Sequence, residues 1–109
     1  SRMDACSMPR GPAISELDLN ELQSVCEATE RMIRRFVFSK VASKLVDDLN
    51  VAVGVNGSHP ASIDIEVEIR LSPLLKSVDV DVLVEDAVDF GFRSAEEKAK
   101  EILACRSKN

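Results

Sequence analysis

The strongest constraint on the fold of this chain is the stretch IDIEVEIRL, from Ile63 to Leu71, in which apolar and polar residues alternate without exception. Successive side chains of a β-strand point to opposite sides of the sheet, so this alternation predicts a strand with one buried and one solvent-exposed face. The exposed face carries a row of three carboxylates, those of Asp64, Glu66 and Glu68. The sequence therefore predicts a sheet that is covered on one side and acidic on the other.

A second alternating stretch, from Leu49 to Val55, precedes the first and predicts its partner strand. The residues between them, NGSHP from Asn56 to Pro60, are rich in turn formers, and Asn-Gly is a strong hairpin signal. We therefore expect an antiparallel hairpin whose second strand covers residues 61–71. Residues 41–48 form a connector whose structure the pattern does not indicate.

The segment before the connector predicts a helix of roughly 20 residues that ends near Lys40, because its apolar residues recur at helical spacing. Two pairs can form a capping box at its start, either Ser15 with Asp18 or Asp18 with Glu21.

The last section, Ser77 to Arg106, is also predicted to be helical, but it contains Gly91. In one interpretation the helix is continuous and Gly91 permits close packing. In the other, Gly91 ends one helix and Ser94 to Glu97 caps the next. The unbroken apolar stripe favours the continuous helix.

These elements predict an α+β fold in the order helix–strand–strand–helix, with two helices covering one face of the hairpin. We expect a flexible leader at residues 1–14 and a single domain at residues 15–109. A two-stranded ribbon is marginally stable in water and leaves the outer edges of both strands unpaired. We therefore expect a homodimer or heterodimer that joins strand edges into a four-stranded sheet. The alternative is a monomer whose edges are shielded by the connector and the leader.

The composition argues against several classes of partner and site. The net charge of −5 is the wrong sign for general binding to nucleic acid or to anionic membranes. The three cysteines have no disulfide or zinc spacing, which is typical of a reducing cytoplasm. The polar, proline-containing start is atypical of a signal peptide, and no apolar run approaches the ~20 residues of a membrane span. We expect a cytoplasmic protein that does not bind membranes.

No catalytic motif is visible, so we expect no enzymatic activity, no cofactor and no metal. His59 is the single histidine and lies in the predicted turn, and no Ser or Cys has a recognisable histidine partner. The acidic residues between Asp79 and Asp89 match the preference for negative charge near a helix N-terminus.

Two charged groups are candidates for binding a partner. Their members are Asp64, Glu66 and Glu68 on the strand, and Arg31, Arg34 and Arg35 on the first helix. The acidic row either keeps the sheet face soluble or docks a basic partner. The arginines are either a solvated helix face or a contact for RNA phosphates or an acidic protein. A third possibility is that the arginines of one subunit contact the acidic row of another.

Four segments together resemble a small archaeal family of unknown function, whose genes are often found beside that of the prefoldin beta subunit. They are FVFSKV (36–41), VDDLNVAVGV (46–55), VEIRLSP (67–73) and EDAVDFGF (85–92). The resemblance covers roughly residues 17–105 and departs from the family pattern at Gly91 and Ser94.

The helix–hairpin–helix order of that family is in turn similar, at the level of the fold, to the small dimerising subunit of the KEOPS complex. KEOPS makes the threonylcarbamoyl modification on tRNA, and its small subunit pairs through sheet edges. The resemblance implies a non-catalytic accessory subunit that positions a catalytic partner. A chaperone-associated role, suggested by gene neighbourhood alone, is a weaker alternative.

A ribbon-helix-helix DNA-binding regulator is another alternative, since VEIRLSP is followed by a helix and by FGFRSAEEKAKEIL (90–103). In that fold the outward side chains of the strand read the major groove. Here those side chains are carboxylates, which DNA phosphates repel. Direct binding to nucleic acid is therefore not expected.

Overall fold

The computed structural model of the chain describes residues 12–57 and 61–107. In chain order these residues form α1 (Pro12–Ser15), α2 (Leu19–Lys40), a 3-10 turn (Ser43–Leu45), β1 (Val46–Asn56), β2 (Ser62–Leu71) and α3 (Val80–Ser107). The predicted α+β class and the helix–strand–strand–helix order are confirmed. The short helix α1 is an element that the sequence patterns did not indicate.

The start of α2 is determined by a capping box between Asp18 and Glu21. The backbone N–H of Glu21 donates to Asp18 Oδ1 at 2.8 Å, and the backbone N–H of Asp18 donates to Glu21 Oε1 at 2.9 Å. Two of the N–H groups that have no partner within the helix are thereby satisfied. Of the two predicted capping pairs, the second is the one that forms.

Residues of the predicted leader belong to the hydrophobic core. Ala13 and Ile14 are only 5% and 1% exposed, and α1 packs against α3. Proline is well tolerated at the first position of a helix, so Pro12 begins α1. The folded part of the chain therefore includes residues 12–14, and the rest of the predicted leader lies outside the described residues, as does His59.

The hairpin is antiparallel, with Val51 opposite Val67 at its centre. β1 begins at Val46, three residues before the predicted strand. A bulge at Asp47 shifts the register there, so that Val46 pairs with Leu71 and Asp48 pairs with Arg70. The extra residue of a bulge changes which side chains share a face. It places Val46 and Leu49, which are three residues apart, on the same apolar side, where both pack against the core.

The last helix, α3, is continuous through Gly91, which confirms the interpretation that the apolar stripe favoured. A Cβ atom at this position would lie 2.6 Å from Ile33 Cδ1 on α2 and 2.9 Å from Ile65 Cδ1 on β2. Gly91 therefore permits α3 to approach both α2 and the sheet closely.

The two long helices cover one face of the hairpin unequally. α2 packs on β1, α3 packs on β2, and the two helices contact each other. The apolar row of β2 is buried from Ile63 to Ile69, with Ile63 and Ile65 inaccessible to solvent. On β1, by contrast, Leu49, Val53 and Val55 are only half-buried. The helical layer therefore leaves the outer side of β1 incompletely covered.

Candidate functional site

The face of the hairpin opposite the helices, here called the open face, is acidic as predicted. The register places Asn50 opposite Glu68, Ala52 opposite Glu66, and Gly54 opposite Asp64, so β1 offers no cation across from this row. Within the described part of the chain, Glu66 and Glu68 form no ion pair. These two carboxylates are exposed and remain available to an external cation.

At the outer edge of β1 the open face continues into a shallow hollow of about 300 Å³. This edge hollow is lined by Arg34, Asn50, Val51, Ala52, Glu66 and Glu68. Arg34 lies on α2, and it reaches this site because α2 packs on β1. The edge hollow thus combines one guanidinium with two carboxylates around the small side chain of Ala52.

The orientation of Arg34 is supported by Glu30, one helical turn earlier. Arg34 Nη2 lies 3.3 Å from Glu30 Oε2, and both side chains are about two-fifths exposed. An exposed pair at this spacing contributes only about 0.3–0.5 kcal/mol to stability. The main effect of this ion pair is on orientation, because it holds the Arg34 guanidinium on the side of α2 next to the β1 edge.

The structure separates the six predicted residues into two groups. Arg34, Glu66 and Glu68 line the edge hollow together, and Asp64 lies on the same open face next to Glu66 along β2. Arg31 and Arg35 are exposed on α2 and do not line the edge hollow. Arg35 is the next helical position after Arg34 and projects about 100° away from it, whereas Arg31 lies on nearly the same side but about 4.5 Å earlier along the helix axis.

Sequence reasoning identified Asn50 and Ala52 only as the residues facing the acids, and it did not place Arg34 beside them. The alternation of β1 indicates which residues share its face, but it contains no information about which helix lies over its edge. No local pattern could have revealed that Arg34 lines the same hollow as these residues.

The edge hollow is suited to binding and is poorly suited to catalysis. The hollow is open and shallow, and its carboxylates are exposed, whereas acid–base chemistry needs an environment that separates two pKa values.

The described residues contain no third strand beside β1, so the outer edge of β1 can accept one. No cluster of three or more His, Cys, Asp or Glu side chains within the described ranges is arranged to hold a metal ion.

The thiol of Cys26 offers no alternative nucleophile. Burial raises its pKa, and the neighbouring negative charge of Glu27 raises it further. Because the thiolate is the reactive form, the thiol of Cys26 is held in its unreactive, protonated state, whereas Cys105 is exposed.

In the described segments, no helix has both the length and the apolar character needed to cross a bilayer.

The chain is similar over most of its length to proteins from several archaea. It is 29% identical over 89 residues to an uncharacterized protein of Pyrococcus furiosus, an alignment that covers 82% of this chain and 79% of that protein. An uncharacterized protein of Thermococcus kodakarensis is 27% identical, with 82% of each chain covered.

Solved structures share the fold. A crystal structure from Thermococcus onnurineus NA1 matches with a TM-score of 0.70 and 27% identity, covering 94% of this chain and 93% of that one. The solution structure of the hypothetical protein mth677 from Methanothermobacter thermautotrophicus matches with a TM-score of 0.65 and 26% identity, covering 75% and 88%. Residues 14–98 match the family described as "Protein of unknown function (DUF3194)", and the chain therefore belongs to this family, which includes archaeal homologues.

Proposed function

We propose that this protein is a cytoplasmic, non-catalytic binding subunit that pairs with a second copy or a relative through the outer edge of β1. The observation that carries the proposal is the unequal cover of the hairpin. The apolar row of β2 is buried from Ile63 to Ile69, whereas Leu49, Val53 and Val55 on β1 are half-buried beside an edge that no described strand occupies.

Pairing at this edge removes two costs of the isolated hairpin. It supplies hydrogen-bond partners for the outward N–H and C=O groups of β1 and extends the sheet to four strands. It also covers the exposed parts of the three half-buried side chains. Full burial of such a side chain is worth about 1.5–3 kcal/mol, and each of the three retains at most about a third of its exposure, so completing their burial contributes at most roughly 1.5–3 kcal/mol in total.

The charges of the edge hollow would determine which strand is accepted and in which register. Arg34 favours an acidic side chain at one position, and Glu66 with Glu68 favours a basic one at another. Complementary charges at an interface act mainly on specificity and on the rate of association. The open face would then remain available to a basic partner protein.

For the larger assembly, the leading candidate is the complex that makes the threonylcarbamoyl modification on tRNA. Its support is the fold-level resemblance of the helix–hairpin–helix order to the small dimerising KEOPS subunit, together with the uncovered β1 edge. The chaperone-associated role has gene neighbourhood as its only support, and the carboxylates on the open face disfavour the DNA-binding alternative.

Backbone amide exchange tests the pairing directly. In a hairpin whose edge is free, only alternate amides of an edge strand are hydrogen-bonded, so protection alternates along the strand. At a concentration where sedimentation shows a dimer, or in the presence of the partner, we expect all amides from Asn50 to Val55 to become protected. The outward amides of β2 in the same spectra are the internal control. Alternating protection on β1 in the assembled state would refute pairing at this edge.

The wider assembly is tested by affinity capture from an extract of the native cell, with and without nuclease, followed by mass spectrometry. Retention of the tRNA-modification subunits in both samples supports the proposal. Capture of nucleic acid alone, lost on nuclease treatment, contradicts it and favours the DNA-binding alternative.

Charge reversal tests the open face. We expect E66K/E68K to lose captured partners, whereas D86K/D89K, which changes the net charge equally at exposed positions on α3, retains them. If E66K/E68K leaves both capture and solubility unchanged, the acidic row has neither of its proposed roles.

A further inference from the structure

The apolar row of β1 restricts how a second copy of this strand can pair with it. Its members point to the helical side of the sheet, and they are Leu49, Val51, Val53 and Val55. In an antiparallel pair, residues directly opposite each other lie on the same face of the sheet. For two copies of β1 related by a two-fold axis, apolar residues face apolar residues only when one residue faces its own counterpart. Any other register puts the helices of the two copies on opposite faces.

Among these registers, the one with the axis beside Ala52 matches the whole apolar row. Each apolar residue of β1 then faces an apolar residue of the second copy, with Val51 opposite Val53 at the centre. An axis beside Val51 would instead place the last member of the row opposite the bulge at Asp47. An axis beside Val53 would place the first member opposite Gly57, which lies beyond the end of the strand. The edge is therefore self-complementary about Ala52.

The charges on α2 fit the same axis. The connector between α2 and β1, residues 41–45, spans at most roughly 20 Å, which is shorter than α2, so β1 runs back along α2 in the opposite direction. Arg34 lines the edge hollow together with Val51. Its ion-pair partner Glu30 lies one turn earlier, about 6 Å along the helix. Because two residues of β1 span about 6.6 Å, Glu30 lies at the level of Val53.

We propose that the partner at the β1 edge is a second copy of this chain, paired about a two-fold axis beside Ala52, with Arg34 of each copy facing Glu30 of the other. The axis exchanges the levels of Val51 and Val53, so it brings opposite charges together twice. Both side chains are 41–42% exposed, and a guanidinium has five donors, so Arg34 can contact Glu30 of both copies. This inference rests on the proposed pairing of β1, and it specifies the partner and the register.

Single charge reversals and their mixture test the contact between the two α2 helices. Sedimentation equilibrium of the full chain at low ionic strength measures the dimer dissociation constant. We expect E30R and R34E each to raise this constant roughly tenfold, because each variant dimer brings like charges together at two contacts. An equimolar mixture of the two variants should return close to the wild-type value. In the mixed dimer opposite charges meet at both contacts, although the ion pair within each α2 remains broken.

The matched control is an ion pair on α3, the helix that packs on β2. Glu97 and Lys100 lie 3.9 Å apart there, and E97K and K100E change the net charge by the same amounts as the α2 variants. Neither control variant, alone or mixed with the other, should change the dimer dissociation constant. A change in the controls equal to that in the α2 variants would show an effect of net charge alone and would overturn the proposed contact.

Cysteine cross-linking tests the register separately, in a chain with the substitutions C6S and C105S, whose remaining native thiol, Cys26, is buried. An ethylene-bridged bis-methanethiosulfonate should rapidly join Ala52→Cys to its own counterpart, because directly opposite Cβ atoms lie about 4.5–5.5 Å apart. Asn50→Cys on the same face is the matched control. Its two copies would lie about 13 Å apart along the strands, so we expect little cross-linking.

Three results would overturn the inference. The first is a wild-type chain that stays monomeric at millimolar concentration, which would make the partner a different chain. The second is a mixture of E30R and R34E that dimerises no more tightly than either variant alone. The third is cross-linking of N50C as fast as that of A52C. Amide exchange distinguishes these failures from failure of the proposed function. Full protection of the β1 amides in the assembled state would still support edge pairing, whereas alternating protection would refute both.

Discussion

α3 approaches both α2 and β2 closely at Gly91, and Gly91→Ala tests whether the packing there is as tight as described. In a helix interior, alanine is favoured over glycine by about 0.8–1.0 kcal/mol, so on propensity alone the substitution stabilises. The added methyl group, however, would lie 2.6 Å from Ile33 Cδ1 and 2.9 Å from Ile65 Cδ1. Favourable carbon–carbon contacts lie at about 3.5–4.0 Å.

The clash should outweigh the gain in propensity. Ile33 and Ile65 are inaccessible to solvent, so their terminal methyl groups cannot swing outward to make room. Overpacking of a well-packed core costs about 1–3 kcal/mol. After subtraction of the helix term, we expect Gly91→Ala to lower the free energy of unfolding by about 1 kcal/mol.

The assay is urea denaturation followed by circular dichroism at a fixed protein concentration, since the chain has no Trp or Tyr to report by fluorescence. Gly54→Ala is the matched control, because nothing lies within 4 Å of a Cβ there, and we expect it to be neutral or slightly stabilising. Ile33→Val removes the nearer methyl group. The double variant G91A/I33V should therefore lose at least 0.5 kcal/mol less than the sum of the two single losses. If Gly91→Ala stabilises the protein as an exposed helical site would, the close approach of α3 to α2 and β2 is refuted.

The remaining predictions concern the helix cap, the core hydroxyl and the thiols. Asp18→Ala removes half of the capping box and should lower the free energy of unfolding by about 1 kcal/mol in the same assay, and an unchanged midpoint would mean that the cap does not form in solution. Thr29→Val should raise stability by about 1 kcal/mol, because it removes a buried hydroxyl without a partner, and a loss would indicate a hydrogen bond that the structure lacks. In a Cys6→Ser variant at pH 8, iodoacetamide should modify Cys105 quickly and Cys26 only after denaturation, because burial raises the pKa of Cys26 and keeps the thiol protonated. Peptide mass mapping measures the modification of each cysteine. Equal rates at the two thiols would contradict that burial.

Local patterns predicted most of the architecture because they depend on short-range geometry. The alternation from Ile63 to Leu71 can bury only one face, so it determined both the strand and its acidic side. The capping pair of Asp18 and Glu21 and the unbroken stripe through Gly91 each lie within a single helix. Within a helix, the number of residues between two positions directly determines where their side chains lie relative to each other.

Only the tertiary structure determines which elements that are distant in the sequence contact each other. Burial of Ile14 depends on α3, which begins more than 60 residues later, so the leader pattern could not reveal it. Arg34 lines the same hollow as Glu66 and Glu68 only because α2 packs on β1. Thr29 on α2 and Glu96 on α3 line one groove for the same reason, since the packing of two helices depends on the whole core rather than on either helix alone.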